Sequence, residues 1–199
     1  MKRRQALKNL GFSIGTITMT STVVSLIQSC SKGSSWNPEF FSMDEAELIT
    51  KTLNVILPPT SGIPGATELN LTKFIDGYIK HVLGDKEQLN IKSQAAKYLS
   101  STLVTLSKNS VSSISDKEID SRLSFYFKSD ENQREIWQKE NSTDASNFKF
   151  LITIRNRGIS AFKINEYIGE NVLAYSPIPG QQIGCVDLIE ATGGKAWSL

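Results

Sequence analysis

Apolar residues recur along most of this chain at the spacing of helices. Ala46, Ile49, Leu53 and Ile56 fall on one helical face, opened by the stretch Ser42-Met-Asp-Glu45. That stretch is a capping box, in which the Ser42 hydroxyl takes a first-turn amide and the Glu45 carboxylate reaches back to the cap. Pro58-Pro59 ends the helix at Leu57, because a residue before proline is pushed out of the helical region. The run Pro58-Pro-Thr-Ser-Gly-Ile-Pro-Gly-Ala66 then reads as a stiff, ordered loop, with prolines fixing φ and glycines permitting turns. Phe74, Ile75, Tyr78, Ile79, Val82 and Leu83 form the stripe of a second helix, which Gly84 is expected to terminate.

Ile91, Ala95, Tyr98, Leu99, Thr102, Leu103 and Leu106 keep the helical period over the longest amphipathic segment. Ser115-Asp-Lys-Glu118 is a second capping box, with Ile119, Leu123 and Tyr126 expected inward. A short polar piece around Glu131 to Lys139 carries Trp137. Phe148, Leu151, Ile152, Arg155, Ile159 and Phe162 mark a further helix, expected to reach Tyr167 before Gly169. Gly158 lies inside it at a cost of about 1 kcal/mol relative to alanine, which points to a close packing contact. No strand of convincing alternation and no internal repeat interrupts the pattern. The expected fold is all-α, a single compact helical domain of five or six helices over residues 42–199.

The periodicity stops at Tyr175. From Tyr175 to Leu199 neither the 3.6 nor the 2 period holds, and Pro177, Pro179, Gly180, Gly184, Gly193 and Gly194 break the chain repeatedly. Yet the stretch spends Tyr175, Ile178, Ile183, Val186, Leu188, Ile189 and Trp197, which disordered ends rarely do. An ordered, irregular C-terminal strap (175–199) lying on something apolar is the expectation.

Ahead of the helices, the segment 1–29 has a basic start and a modest apolar stretch from Leu10 to Ile27 diluted by Ser and Thr, the build of a secretory signal. Arg3-Arg4 followed by Leu7 resembles the twin-arginine pattern, with Ala6 where Phe is commoner. An ordinary secretory signal is the alternative. Leu26-Ile-Gln-Ser-Cys30 resembles a lipobox with an atypical Gln28, which would make Cys30 the acylated first residue of the mature chain and 30–41 a linker. A transmembrane anchor would need about twenty predominantly apolar residues, and this segment falls short.

The charge balance follows from that cut. The signal holds Lys2, Arg3, Arg4 and Lys8, so the mature chain keeps 18 basic residues against 20 acidic, a net of −2. Nothing in that balance fits nucleic acid. With Cys30 acylated, Cys185 stands alone in an oxidising compartment, where it either bridges to another chain or is a buried free thiol.

The residues of reaction chemistry are sparse. His81 is the one histidine and sits on a helix without further ligand types at metal spacing. The haem-attachment Cys-x-x-Cys-His is absent, and the tail glycines fit neither a dinucleotide fingerprint nor a phosphate loop. Asp44, Glu45, Glu47, Asp116 and Glu118 sit where helix N-termini favour carboxylates. No catalytic, cofactor-binding or metal-ligating residue is expected, and the pattern is that of an accessory subunit.

The order Tyr175-x-Pro177-x-Pro179-Gly180, Gly184-Cys185-x-x-Leu188 and Gly194-Lys-Ala-Trp197 resembles the signature of the gluconate 2-dehydrogenase subunit 3 family. The Leu57-Pro-x-Thr60 and Pro64-Gly-Ala66 loop, followed by Phe74-Ile-Asp76, is similar to that family's N-terminal motif, while Gln181-Gln182 departs from the usual glycine-aromatic pair. The resemblance implies a non-catalytic small subunit that escorts a large flavoprotein of the glucose–methanol–choline type through twin-arginine export and supports its maturation and stability. FAD is then expected in the partner and not in this chain, with a cytochrome c subunit as a further partner and the lipid on Cys30 as the membrane link at the periplasmic side. Tyr175, Pro177, Pro179, Gly180, Gly184, Cys185 and Trp197 become the docking residues, with a disulfide from Cys185 to the flavoprotein. Leu188 and Trp197 are expected also to cover the chain's own helices. The alternative is a stand-alone surface lipoprotein that catches a carbohydrate with Trp36, Tyr175 or Trp197.

Overall fold

The computed structural model describes residues 36–175 and 185–198. Arg3, Arg4, Leu7 and Cys30, and with them the export and lipidation expectations, lie outside the described residues, as do Pro177, Pro179, Gly180 and Gly184. One unit, Pro38–Leu199, holds the helices.

Six helices of nine to twenty-two residues carry it: α1 Met43–Ile56, α2 Leu71–Val82, α3 Asp85–Leu106, α4 Asp116–Phe127, α5 Glu131–Lys139 and α6 Thr143–Lys163. A 3₁₀ turn at Val111–Ser113, a π-helical turn at Ile168–Val172 and the five-residue α7, Leu188–Thr192, complete the order among the described residues. No strand occurs among the described residues, and the fold class is the expected one.

Both capping boxes form. Ser42 accepts from the Glu45 amide while Glu45 Oε2 accepts from Ser42 N at 2.7 Å, and Lys92 reaches the same carboxylate oxygen at 2.6 Å. Glu118 repeats the arrangement on Ser115 and pairs with Lys108 at 3.1 Å. The Ser115 amide and hydroxyl, and then Lys108, hold the Glu118 carboxyl down to about 2.

The core lies where α1 and α6 meet the other helices. Leu53 of α1 and Leu151 and Ile154 of α6 are fully enclosed. Gly158 shows why a glycine stands in α6: a Cβ there would lie 2.5 Å from Leu53 Cδ2, so α1 occupies the space of the missing side chain. Across α4, α5 and α6, the rings of Tyr126, Trp137 and Phe148 pack at a tilt with separations of 5.3 to 5.4 Å. Behind them Asn147 donates to Ser101 Oγ (2.8 Å) and the Tyr126 hydroxyl (3.0 Å), and that hydroxyl donates to Asp144 (2.9 Å). Burial pushes the Tyr98 phenol up and the Tyr126 phenol up to about 12.

Three expectations are corrected. Gly84 does not end α2; that helix stops at Val82, and Gly84, at φ −73°, caps the start of α3. The helix expected to run to Tyr167 breaks at Ile164, where the chain turns through Asn165 into the π-helical segment containing Gly169. Of the stripe expected on α6, Phe148 and Leu151 are buried, whereas Ile152, Ile159 and Phe162 are half-buried and Arg155 is exposed; further along the buried positions are Ile154, Gly158 and Ala161. The reason is close packing: Leu53 of α1 occupies the space a Cβ on Gly158 would take, so the face nearest α1 carries small residues that an apolar stripe does not mark.

The two irregular segments of the N-terminal half are held by specific hydrogen bonds. In the Pro-rich loop, Thr60 and Ile63 exchange backbone bonds at 2.9 and 3.0 Å and Ala66 N donates to Leu57 O at 3.0 Å. A Cβ on Gly65 would meet Pro59 N at 2.6 Å, so only glycine fits there. Asp76, 1% exposed on α2, accepts from the amides of Glu39, Phe40 and Phe41, with the shortest bond at 2.7 Å. It thereby ties down the segment that leads into α1.

Candidate docking surface

The residues between α6 and the strap lead the chain to its base. Asn165 Oδ1 accepts from Tyr167 N at 3.1 Å and starts the π-helical turn, whose Ile168 is fully buried and roots it in the core. Leu173 N closes the turn on Ile168 O at 2.9 Å. Ala174 then pairs in parallel with Trp197: Ala174 N donates to Ala196 O at 2.8 Å and Ser198 N to Ala174 O at 2.9 Å. The two ends of the strap are thus joined at one base.

Local chemistry makes the return possible. Asp187 Oδ1 accepts from the amides of Ile189 (2.9 Å) and Glu190 (3.2 Å) and starts α7. Gly193 ends it at φ +63° with its amide on Ile189 O at 2.8 Å, and Gly194 follows at φ +79°. Two successive left-handed residues are a glycine conformation, and they turn the chain back toward Ala174. The signal was present in the sequence as Asp187 before an apolar pair with Gly-Gly after it, a cap at each end of a short helix.

Most of the described side chains of this strap are in solvent. Leu188 is 63% and Trp197 54% exposed, and Tyr175, Val186 and Ile189 are exposed as well. The expectation that Leu188 and Trp197 cover the chain's own helices is therefore corrected. The strap is held by backbone bonds at its base, and on α7 only Thr192 is buried, with its hydroxyl turned to Leu188 O at 2.7 Å. Burying a large apolar side chain contributes about 1.5–3 kcal/mol, which these side chains leave unrealised within the unit.

Cys185 is a free, exposed thiol, so the buried-thiol alternative does not hold for it. It sits at φ +57°, a conformation that costs a side-chain-bearing residue about 1–2 kcal/mol. Of the expected docking residues, Tyr175 and Trp197 are brought to the common base and Cys185 precedes the cap of α7. Sequence reasoning passed over Val186 and Ile189 as contact residues, although they share the exposed apolar run with Leu188.

Elsewhere, His81 Nε2 lies 2.9 Å from Glu39 Oε2, with both side chains exposed. Among the described residues no group of His, Cys, Asp and Glu is arranged to hold a metal ion, and no helix is long and apolar enough to cross a membrane. A sequence model of the family described as Gluconate 2-dehydrogenase subunit 3 matches residues 43–180. No curated protein and no solved structure matches the chain.

Proposed function

The chain belongs to the gluconate 2-dehydrogenase subunit 3 family, and from that premise we propose that it is the non-catalytic small subunit of an exported dehydrogenase, docked through its strap onto a large FAD-containing subunit. The observation that carries the reading is the strap itself: five exposed apolar side chains beside a free thiol, on a backbone anchored at one base. A surface of that kind is costly in isolation and becomes favourable when a partner covers it.

The N-terminal residues extend the proposal. A flavoprotein that takes up its cofactor in the cytoplasm crosses the membrane folded, and the twin-arginine route carries folded cargo. The Arg3-Arg4 and Leu7 pattern on the small subunit would serve both chains, and acylation of Cys30 would hold the complex at the periplasmic side of a membrane. A cytochrome c subunit is the natural electron acceptor for such a complex. In this reading Cys185 forms a disulfide with the large subunit, because it is exposed, unpaired and next to the contact residues.

The test is a non-reducing gel of the purified complex. A band of summed mass that separates on reduction, and that is lost in Cys185→Ser, is expected. Two separate bands in both samples would leave the thiol without this role.

A further inference from the structure

The apolar stripe of α6 includes Arg155, yet the structure turns that side chain into solvent, with its guanidinium 5.6 Å from the centre of the Phe127 ring. Arg134 of α5 reaches the same residue. Its Nη2 donates to Phe127 O at 2.9 Å and to Ser129 O, and its Nε donates to Ser129 Oγ at 3.4 Å. Two guanidiniums are thus anchored on one phenylalanine, one at its ring and one at its carbonyl. With Phe127, Phe148 and Ile152 they line a hollow of ≈ 400 Å³ where α4, α5 and α6 meet.

No side chain of this sequence supplies either cation with a counter-charge. Among the described residues no Asp or Glu lies within ion-pair distance of Arg134 or Arg155. Residues 1–35, 176–184 and 199 contain no Asp or Glu at all. Of the acids that share a second hollow with Arg134, Asp130 accepts from the Gln133 amide at 2.7 Å and Glu135 pairs with Lys139 at 3.5 Å. The third, Glu131, stands in the first turn of α5, where a helix favours a carboxylate. Like charges held near one another repel, and an anion between them removes that cost.

We infer that this hollow is a carboxylate site, which holds one carboxylate between Arg134 Nη1 and the Arg155 guanidinium while the apolar body that carries it rests on Phe127, Phe148 and Ile152. Nε and Nη2 of Arg134 are committed to the backbone and to Ser129, so Nη1 is the nitrogen that faces a ligand, on a group already fixed in place. Arg155 makes no hydrogen bond among the described residues, and its planar fork matches the two oxygens of a carboxylate. A mostly apolar lining with a few charged groups is the build of a small-ligand pocket. Inorganic phosphate would leave the apolar walls unused, and a polyhydroxylated acid would leave its hydroxyls unpaired against them. The carboxylate comes from a free acid or from an Asp or Glu side chain of another protein, and both present the same head group.

The probe is sodium benzoate, titrated into the full chain at neutral pH and constant ionic strength and followed by NMR at the amides of Phe127, Phe148, Ile152 and Arg155. Saturable shifts at these residues are expected. Benzamide keeps the ring without the charge, phosphate keeps the charge without the ring, and each should bind at least about tenfold more weakly. Arg155→Gln, at an exposed position, should keep the wild-type thermal midpoint and weaken benzoate at least about tenfold. Arg155→Lys should restore only part of the affinity, because lysine keeps the charge and loses the fork. The Arg155 variants carry the test, since Arg134→Gln would also release the bonds to Phe127 and Ser129. Shifts that do not saturate, benzamide or phosphate binding as tightly as benzoate, or wild-type affinity in Arg155→Gln each overturn the inference. Equilibrium dialysis of benzoate against the free chain and against its purified complex with the large subunit separates the two sources. Binding by the free chain that is lost in the complex assigns the site to an acidic side chain of the partner, and binding retained in both assigns it to a free acid.

Discussion

Single residues carry much of the order in the irregular parts of this protein. Asp76 satisfies three backbone amides at a 1% exposed site, and charged hydrogen bonds of that kind contribute about 1.5–3 kcal/mol each when measured one at a time. Asp76→Ala should cost about 3 kcal/mol in urea unfolding, with the lost order confined to the segment before α1. Gly65→Ala drives a methyl into the backbone of Pro59 and should cost about 2 kcal/mol by the same measurement. Glu118 gives a pH signature. Its carboxyl titrates near 4.5 when unfolded and at about 2 in the fold, so its stabilising effect is full above 4.5 and disappears as the pH falls to about 2. The thermal midpoints of the wild type and Glu118→Gln should differ at neutral pH and converge below about 2. A difference that persists at the lowest pH would mean that the charge is not what the capping box uses. These residues were legible in different degrees. The capping boxes could be read outright, because Ser and Glu three apart have one common use at a helix start. Asp76 could not, because its amide partners lie about 35 residues away and no local pattern announces them.

At the level of elements, the helices were legible where the apolar stripe coincides with the buried face, as in α1, α3 and α4. In α6 the stripe named Phe148 and Leu151 correctly, but further along the buried positions Gly158 and Ala161 are small residues that a stripe of large apolar side chains passes over. The break after Ile164 left no proline or glycine at the turn itself; it is made by the Asn165 side chain and a π-helical turn, which periodicity does not detect. The stripe of α2 was read as apolar, and the structure divides it between core and solvent. Ile75 and Ile79 are buried, while Phe74 and Val82 face solvent. A periodic pattern reports that a face will be covered; it does not report whether the cover belongs to the same chain. The strap makes the same point, since its apolar residues are ordered at the base and uncovered above it. Replacing Trp197 or Leu188 by serine should therefore change the midpoint of the isolated chain by no more than about 0.5 kcal/mol in equivalent stability, yet weaken the complex clearly. A large loss of stability in the isolated chain would show that these side chains belong to its own core.

For the molecule as a whole, exposed apolar side chains on the strap and at Phe74 and Val82 of α2 lie on a helical unit in which, among the described residues, no group of His, Cys, Asp and Glu is arranged to hold a metal ion. Membership of the gluconate 2-dehydrogenase subunit 3 family gives such a unit a reason to exist, as a part that is completed by a larger one. Of the motifs that resembled the family, the Pro-rich loop, Phe74-Ile-Asp76 and Tyr175 to Gly180 fall within the matched residues 43–180, and irregular segments of this kind are specified by individual residues, whereas helix faces accept many sequences. The most direct test is to purify the tagged full chain from its native membranes under gentle detergent and determine what comes with it. The account predicts a large polypeptide in one-to-one ratio, with the absorbance of bound flavin and sugar or sugar-acid dehydrogenase activity in the same fraction. Recovery of the chain alone, with the dehydrogenase activity of the membranes in other fractions, would contradict it.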